Sequence, residues 1–248
     1  MVEGGGGLYK KLIHLFYGCS IPYLLYNMSD TERDMVELVE RVMVRVREYM
    51  ERYPDTGIVL LADEEVVRWV CGILYFLPEH ERTNKKTKDN AKSKKLEDQW
   101  GQSLQKRIRS DRNSGGQWTT LVGEQIGREL LILLGESVSK PVCINGFAPD
   151  WQTSKVVVEV KTQTYHTSGT AGEKILGVPV KYSDVPELYG KPVQILCIAG
   201  AEKVARENYG ILPGNNRRFT PSKQRQLDFW RGEGFEYVGA TDILRRLV

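Results

Sequence analysis

A chain of 248 residues, 41% hydrophobic and 9% aromatic, can bury a core as one large domain or one and a half, and its composition is globular rather than disordered. Its net charge of +3 is too small to mark a nucleic-acid partner by itself, and four cysteines without CxxC spacing beside only three histidines argue against zinc. Cys19, Cys71, Cys143 and Cys197 sit among apolar neighbours, no run approaches a membrane span and no cleavable signal opens the chain, so a reduced, cytoplasmic protein is expected.

Gly4 to Gly7 reads as a flexible leader, and Leu8 to Tyr26 as a helix with an irregular packing segment. Ser29 followed by Glu32 has capping-box spacing, which predicts a helix over about Asp30 to Arg52. Its apolar positions Met35, Val39, Val42, Val46, Tyr49 and Tyr53 recur at three- and four-residue steps. A short apolar run at Ile58 to Leu61 follows, and Asp63 to Leu77 predicts a second helix stopped by Pro78. Residues 1–81 are thus a helical N-terminal region without evident chemistry.

Composition then shifts. Between Arg82 and Arg112 there are eleven Lys or Arg against four acids, a net of +7. Residues 82–115 read either as a solvated linker or exposed helix, or as a basic arm that neutralises phosphates through residues such as Lys94, Lys95, Arg107 and Arg109. Trp100 and Gln99 could touch bases or sugar there, and Trp100 could equally anchor the arm to the body.

From Gly116 the pattern is mixed α/β. Thr119 or Thr120 is expected to cap a helix running through Leu134, with Gly135 closing it. Strands are expected at Val142 to Asn145 and Lys155 to Tyr165, around a corner at Asp150. Gly169 to Gly177 reads as a glycine-rich loop entering a helical turn, with Thr170 and Glu173 at capping-box spacing. Val193 to Ala199 is a continuous apolar run, the mark of a strand covered on both faces. A helix at Ala201 to Asn208, an amphipathic helix at Ser222 to Gly232, a strand at Glu236 to Gly239 and a helical turn at Asp242 to Val248 complete the chain.

The chemistry concentrates at Pro149-Asp150 and Glu159-Val160-Lys161. Side chains alternate along a strand, so Glu159 and Lys161 share one face while Val158 and Val160 share the other. Asp150 folds back beside them if Trp151 to Ser154 makes a turn. Two carboxylates bind a hard cation such as Mg2+ through oxygen, and a lysine beside them can orient water or neutralise charge on a phosphate. Glu159-Val160-Lys161 is the only acid-x-lysine in the 248 residues. The competing reading is an exposed ion pair, which would contribute little.

These residues resemble the active-site signature of the PD-(D/E)xK nuclease superfamily, and residues 116–248 are similar to its core; residues 1–81 are not covered. The resemblance implies an α/β fold with a restriction-endonuclease-like core, a mixed central sheet flanked by helices, behind an N-terminal helical region. Asp150 and Glu159 would be metal ligands with the carbonyl of Val160, and Lys161 the catalytic lysine. Superfamily members often add an acid from the preceding helix, for which Glu124 is the candidate; its alternative is an ordinary pair with Arg128 four residues on. Gln163 shares the face of Glu159 and Lys161 and is expected to border the site, whereas Tyr165 reads as packing and His166 as a loop residue. Lys174 and Lys181 are candidate phosphate contacts, and Asn215-Asn216-Arg217-Arg218 a candidate base-reading loop that is equally well a hydrated turn. The implied function is Mg2+-dependent hydrolysis of double-stranded DNA at a short palindromic site by a type II restriction homodimer, with no organic cofactor and no membrane. A repair or recombination nuclease on the same core, and a DNA-binding protein without catalysis, are the alternatives.

Overall fold

A computed structural model describes residues 29–74, 87–109, 118–167, 172–213 and 219–248, with the backbone alone at 87–90. The leader at Gly4 to Gly7, the segment Leu8 to Tyr26, Pro78, Thr170 and the loop Asn215 to Arg218 lie outside these residues.

Helix α1 (Asp30–Arg52) opens on the expected capping box: Ser29 Oγ accepts from the Glu32 amide, and the Glu32 carboxylate accepts from the Ser29 amide at 2.8 Å. Leu38, Val39, Val42, Met43 and Val46 form its buried stripe. Tyr53 is the C-cap and 44% exposed, so the stripe stops a turn earlier than the periodicity predicts. Helix α2 (Glu64–Val70), capped by Asp63, is shorter than the predicted 63–77. Gly72 ends it at φ +78°, where its N–H reaches Trp69 O and the Ile73 N–H reaches Arg68 O. A side chain at Gly72 would be strained by that φ and would crowd the Tyr165 hydroxyl.

The basic run is no solvated linker where it is described. It forms helix α3 (Thr87–Ile108), which buries Glu97, Leu104 and Gln105. Trp100 anchors it: its ring centroid lies 5.5 Å from that of Trp69, and Trp69 in turn lies 5.6 Å from Trp118. Helix α4 (Trp118–Leu133) contains Thr119 and Thr120 within its first turn, so neither caps it from outside as expected. Gly135 at φ +81° closes it through the same paired bonds used at Gly72.

Val142 to Asn145 is not a strand. A single bridge joins Ile144 to Phe147 across Asn145 (φ +50°) and Gly146 (φ +82°), the two-residue turn that Asn-Gly favours, and Val142 is left 76% exposed. The sheet is mixed and four-stranded, in the order β1 (Trp151–Gln152), β2 (Val157–Gln163), β3 (Val193–Ala199), β4 (Phe235–Gly239). β1 runs antiparallel to β2, and the other pairs are parallel. β2 is shorter than the predicted 155–165. The Thr153 hydroxyl accepts the amides of Lys155 and Val156 in a turn, and Tyr165 leaves the sheet to bond Glu97 through its N–H and the Trp69 carbonyl through its hydroxyl.

Three short helices, α5 (Glu173–Leu176), α6 (Val178–Lys181) and α7 (Val185–Tyr189), carry the chain from β2 to β3. α5 has Gly172 at its N-cap with no side-chain cap. After β3 come α8 (Gly200–Val204), which widens into a π-turn (Ala205–Tyr209), then α9 (Pro221–Gly232), β4 and α10 (Ala240–Leu247). Both faces of β2 are covered. Val158 and Val160 enter a core continuous with α1, α2, α4 and α10, while Val157 enters a second core with Ile175, Tyr182 and Ile195. Among the described residues no helix is long and apolar enough to cross a membrane.

Candidate functional site

Helix α4 fixes the height of the site. A Cβ at Gly123 would fall 1.8 Å from Thr162 Oγ1, and one at Gly127 2.9 Å from a Val160 methyl, so the helix backbone lies directly on β2. The Trp151 indole N–H then donates to the Glu124 carbonyl at 2.7 Å, tying β1 to the same helix. β1 ends there, beside Val158. Two residues further along β2 the Val160 N–H points to the vacated edge, and Asp150 Oδ2 accepts it at 2.7 Å. A strand residue projects its N–H and C=O from the same edge, so the Val160 carbonyl faces the Asp150 side.

Glu159 and Lys161 take the opposite face from Val158 and Val160, as alternation requires. They are not a surface ion pair. Glu159 is 5% exposed, and its Oε1 lies 2.5 Å from Lys161 Nζ. The buried Tyr182, packed at a tilt against Phe147 with ring centroids 5.8 Å apart, also hydrogen-bonds Glu159. Asp150, Glu159, Val160, Lys161 and Gln163 all border one cleft of about 400 Å³, which Lys94, Asp98, Trp118, Thr119, Thr120 and Lys174 also line.

The electrostatics match the geometry. Burial pushes the Asp150 carboxyl up to about 7, Glu159 and Glu124 push it the same way, and only the Val160 N–H and Lys161 act against them. Carboxylates this crowded favour a shared proton or cation. Among the described residues no cluster of three or more His, Cys, Asp or Glu side chains is built for a metal. The donor set is two carboxylates and a carbonyl, which suits a hard cation that retains waters.

Glu124 belongs to the electrostatic surroundings rather than to the cleft lining. Its carboxylate pairs with Lys140 at 2.9 Å, and Lys140 lies 4.1 Å from the Trp151 ring centroid. The alternative pairing with Arg128 does not form, since the Arg128 guanidinium reaches the Gly57 carbonyl. Gln163 borders the cleft as its strand face predicts, and Lys94 and Lys174 line it too. Lys95 and Arg109 do not line it, and Lys181 lies over the Tyr182 ring, 4.8 Å from the centroid. Arg107 is engaged elsewhere, with Asp63 at 2.5 Å and the Val59 carbonyl at 3.1 Å. Tyr165 is packing, as expected, and the neighbouring His166 backbone bonds Glu97 away from the cleft lining.

Four contributors escape the sequence reading. Asp98 was visible only as an acid four residues after Lys94, an ordinary helix pair. Thr119 and Thr120 signalled only a helix cap and Tyr182 nothing beyond its identity, because their place at the cleft depends on how distant segments meet at β2. A scan of the chain against protein-family models, and searches among curated proteins and solved structures, find no match.

Proposed function

We propose that the chain is a Mg2+-dependent endonuclease acting on double-stranded DNA, in its most specific form a homodimeric type II restriction enzyme. One observation carries the reading. Asp150, half-buried and pressed by Glu159 and Glu124, borders the same cleft as Lys161 and calls for a positive charge that the chain itself only partly supplies. The order around it supports the same reading, with a helix packed on the active strand, a short antiparallel strand that starts just after the aspartate, and a helical crossover to a parallel strand.

Asp150, Glu159 and the Val160 carbonyl would hold Mg2+, and the ion when bound would neutralise the scissile phosphate and acidify water. The residues themselves do the rest. Lys161 keeps an ammonium donor aimed at the cleft while Glu159 fixes its position at 2.5 Å. It thereby orients the attacking water and stabilises charge on the phosphate oxygens. Tyr182 and the Val160 N–H hold the two carboxylates in place. Water oxygen joins phosphorus as the P–O3′ bond breaks; the water gives up one proton to solvent, the departing O3′ takes one from solvent, and the ends are 5′-phosphate and 3′-hydroxyl.

Digesting phage DNA with and without Mg2+ and sequencing the ends tests this. Discrete fragments with one palindrome at every end, formed only with Mg2+, are expected. Cleavage confined to mismatches or four-way junctions would replace the restriction reading, and no cleavage with any divalent cation would remove the nuclease reading.

A further inference from the structure

Other residues that line the cleft have chemistry of their own. Asp98 Oδ2 lies 2.5 Å from the Lys94 ammonium, and Asp98 Oδ1 accepts the Trp118 indole N–H at 2.9 Å. Trp118 is buried, with its ring against Gly101 where any Cβ would clash. Both Asp98 oxygens are therefore engaged, so Asp98 positions Lys94 rather than adding a third metal carboxylate. Asp98 is also absent from the charges that press on Asp150. An ammonium has three donors, and one is used here.

Two further donors border the same cleft. Lys174 is exposed on α5 and has no acid partner among the described residues. Gln163 is only 9% exposed, yet its side-chain amide makes no hydrogen bond among the described residues. The amide still reaches the solvent of the cleft, so it can donate to a ligand oxygen without breaking a protein hydrogen bond. At about 400 Å³ the cleft is larger than one phosphate group needs.

We propose that Lys94, Lys174 and Gln163 form a second phosphate subsite, which holds a backbone phosphate next to the one cleaved at Asp150, Glu159 and Lys161. This rests on the nuclease reading above. It also assigns the basic run a narrower task than an arm: it supplies Lys94 on a rigid helix, positioned by Asp98 and Trp118, while Arg107 holds the fold.

Binding of the full chain to a short DNA duplex in EDTA, measured against salt concentration, tests the subsite beside steady-state cleavage in Mg2+. Lys94→Ala and Lys174→Ala should each reduce the slope of log affinity against log salt by about 1. In cleavage, KM should rise by more than kcat falls, and Lys94→Arg should restore most of the slope. If Lys94→Ala fails to fold by circular dichroism, Lys174→Ala decides, since its side chain is exposed and supports no packing. A parent that cuts DNA while the folded variants keep its slope and KM overturns the subsite. A parent that binds DNA without cutting overturns the nuclease reading, and one that does neither overturns both.

Discussion

Asp150 shows how one residue acquires a role from its surroundings. Its half-buried carboxyl is pushed up to about 7 by loss of solvation first, then by Glu159 and Glu124, against the Val160 N–H that it accepts and Lys161. An acid whose folded value is raised favours the protonated form in the fold. The metal-free protein is therefore stabilised by this group at low pH and loses that contribution as pH rises from about 4 to about 7. A cation must displace the same proton. Mg2+ affinity should accordingly rise about tenfold per pH unit up to about 7 and level off above it. Calorimetric titration between pH 5.5 and 8.5 checks this, and a profile flat from pH 5.5 to 7 would contradict it. Asp150→Asn should abolish the dependence along with the binding.

At the scale of elements, the site depends on two close approaches. Helix α4 lies on β2 because Gly123 and Gly127 present no side chains to it. Gly123→Ala must push a methyl into Thr162, and should destabilise the protein by about 1–3 kcal/mol. A lowered Tm with retained secondary structure is the expected readout; an unchanged Tm would mean that the helix rides higher than described. The second approach joins α3 to the end of β2 through Glu97. Its buried carboxylate accepts the Trp69 indole N–H at 2.7 Å and the backbone amides of Tyr165 and His166. Glu97→Leu strands all three donors and should cost about 3 kcal/mol or more, while Glu97→Gln, which keeps an acceptor oxygen, should cost about 1 kcal/mol. Urea unfolding of the two variants checks the order; equal losses would contradict it.

At the scale of the molecule, what could be read from the sequence was what depends on local pattern. The capping box at Ser29 and Glu32, the Gly135 stop and the apolar run Val193–Ala199 each declare themselves within a few residues. So did the pairing of Asp150 with Glu159 and Lys161, because strand alternation and one turn suffice to bring them together. Long-range packing was not legible in this way. Val142 to Asn145 has strand residues but no partner strand, Gly72 ends α2 before its apolar pattern ends, and the charge-rich α3 is drawn onto the body by Trp100, Glu97 and Leu104. For the same reason a count of basic residues could not separate Lys94, which borders the cleft, from Arg107, which holds Asp63.

In the proposed function, Asp150 and Glu159 hold the cation that drives phosphodiester cleavage beside Lys161. The most direct measurement is the single-turnover cleavage rate of duplex DNA in Mg2+ by the parent chain and by Asp150→Asn, which keeps the side chain's shape and removes its charge. Mg2+-dependent cutting by the parent is expected, with a loss of at least about 100-fold in the variant and folding retained. Cutting at the parental rate by Asp150→Asn would contradict it.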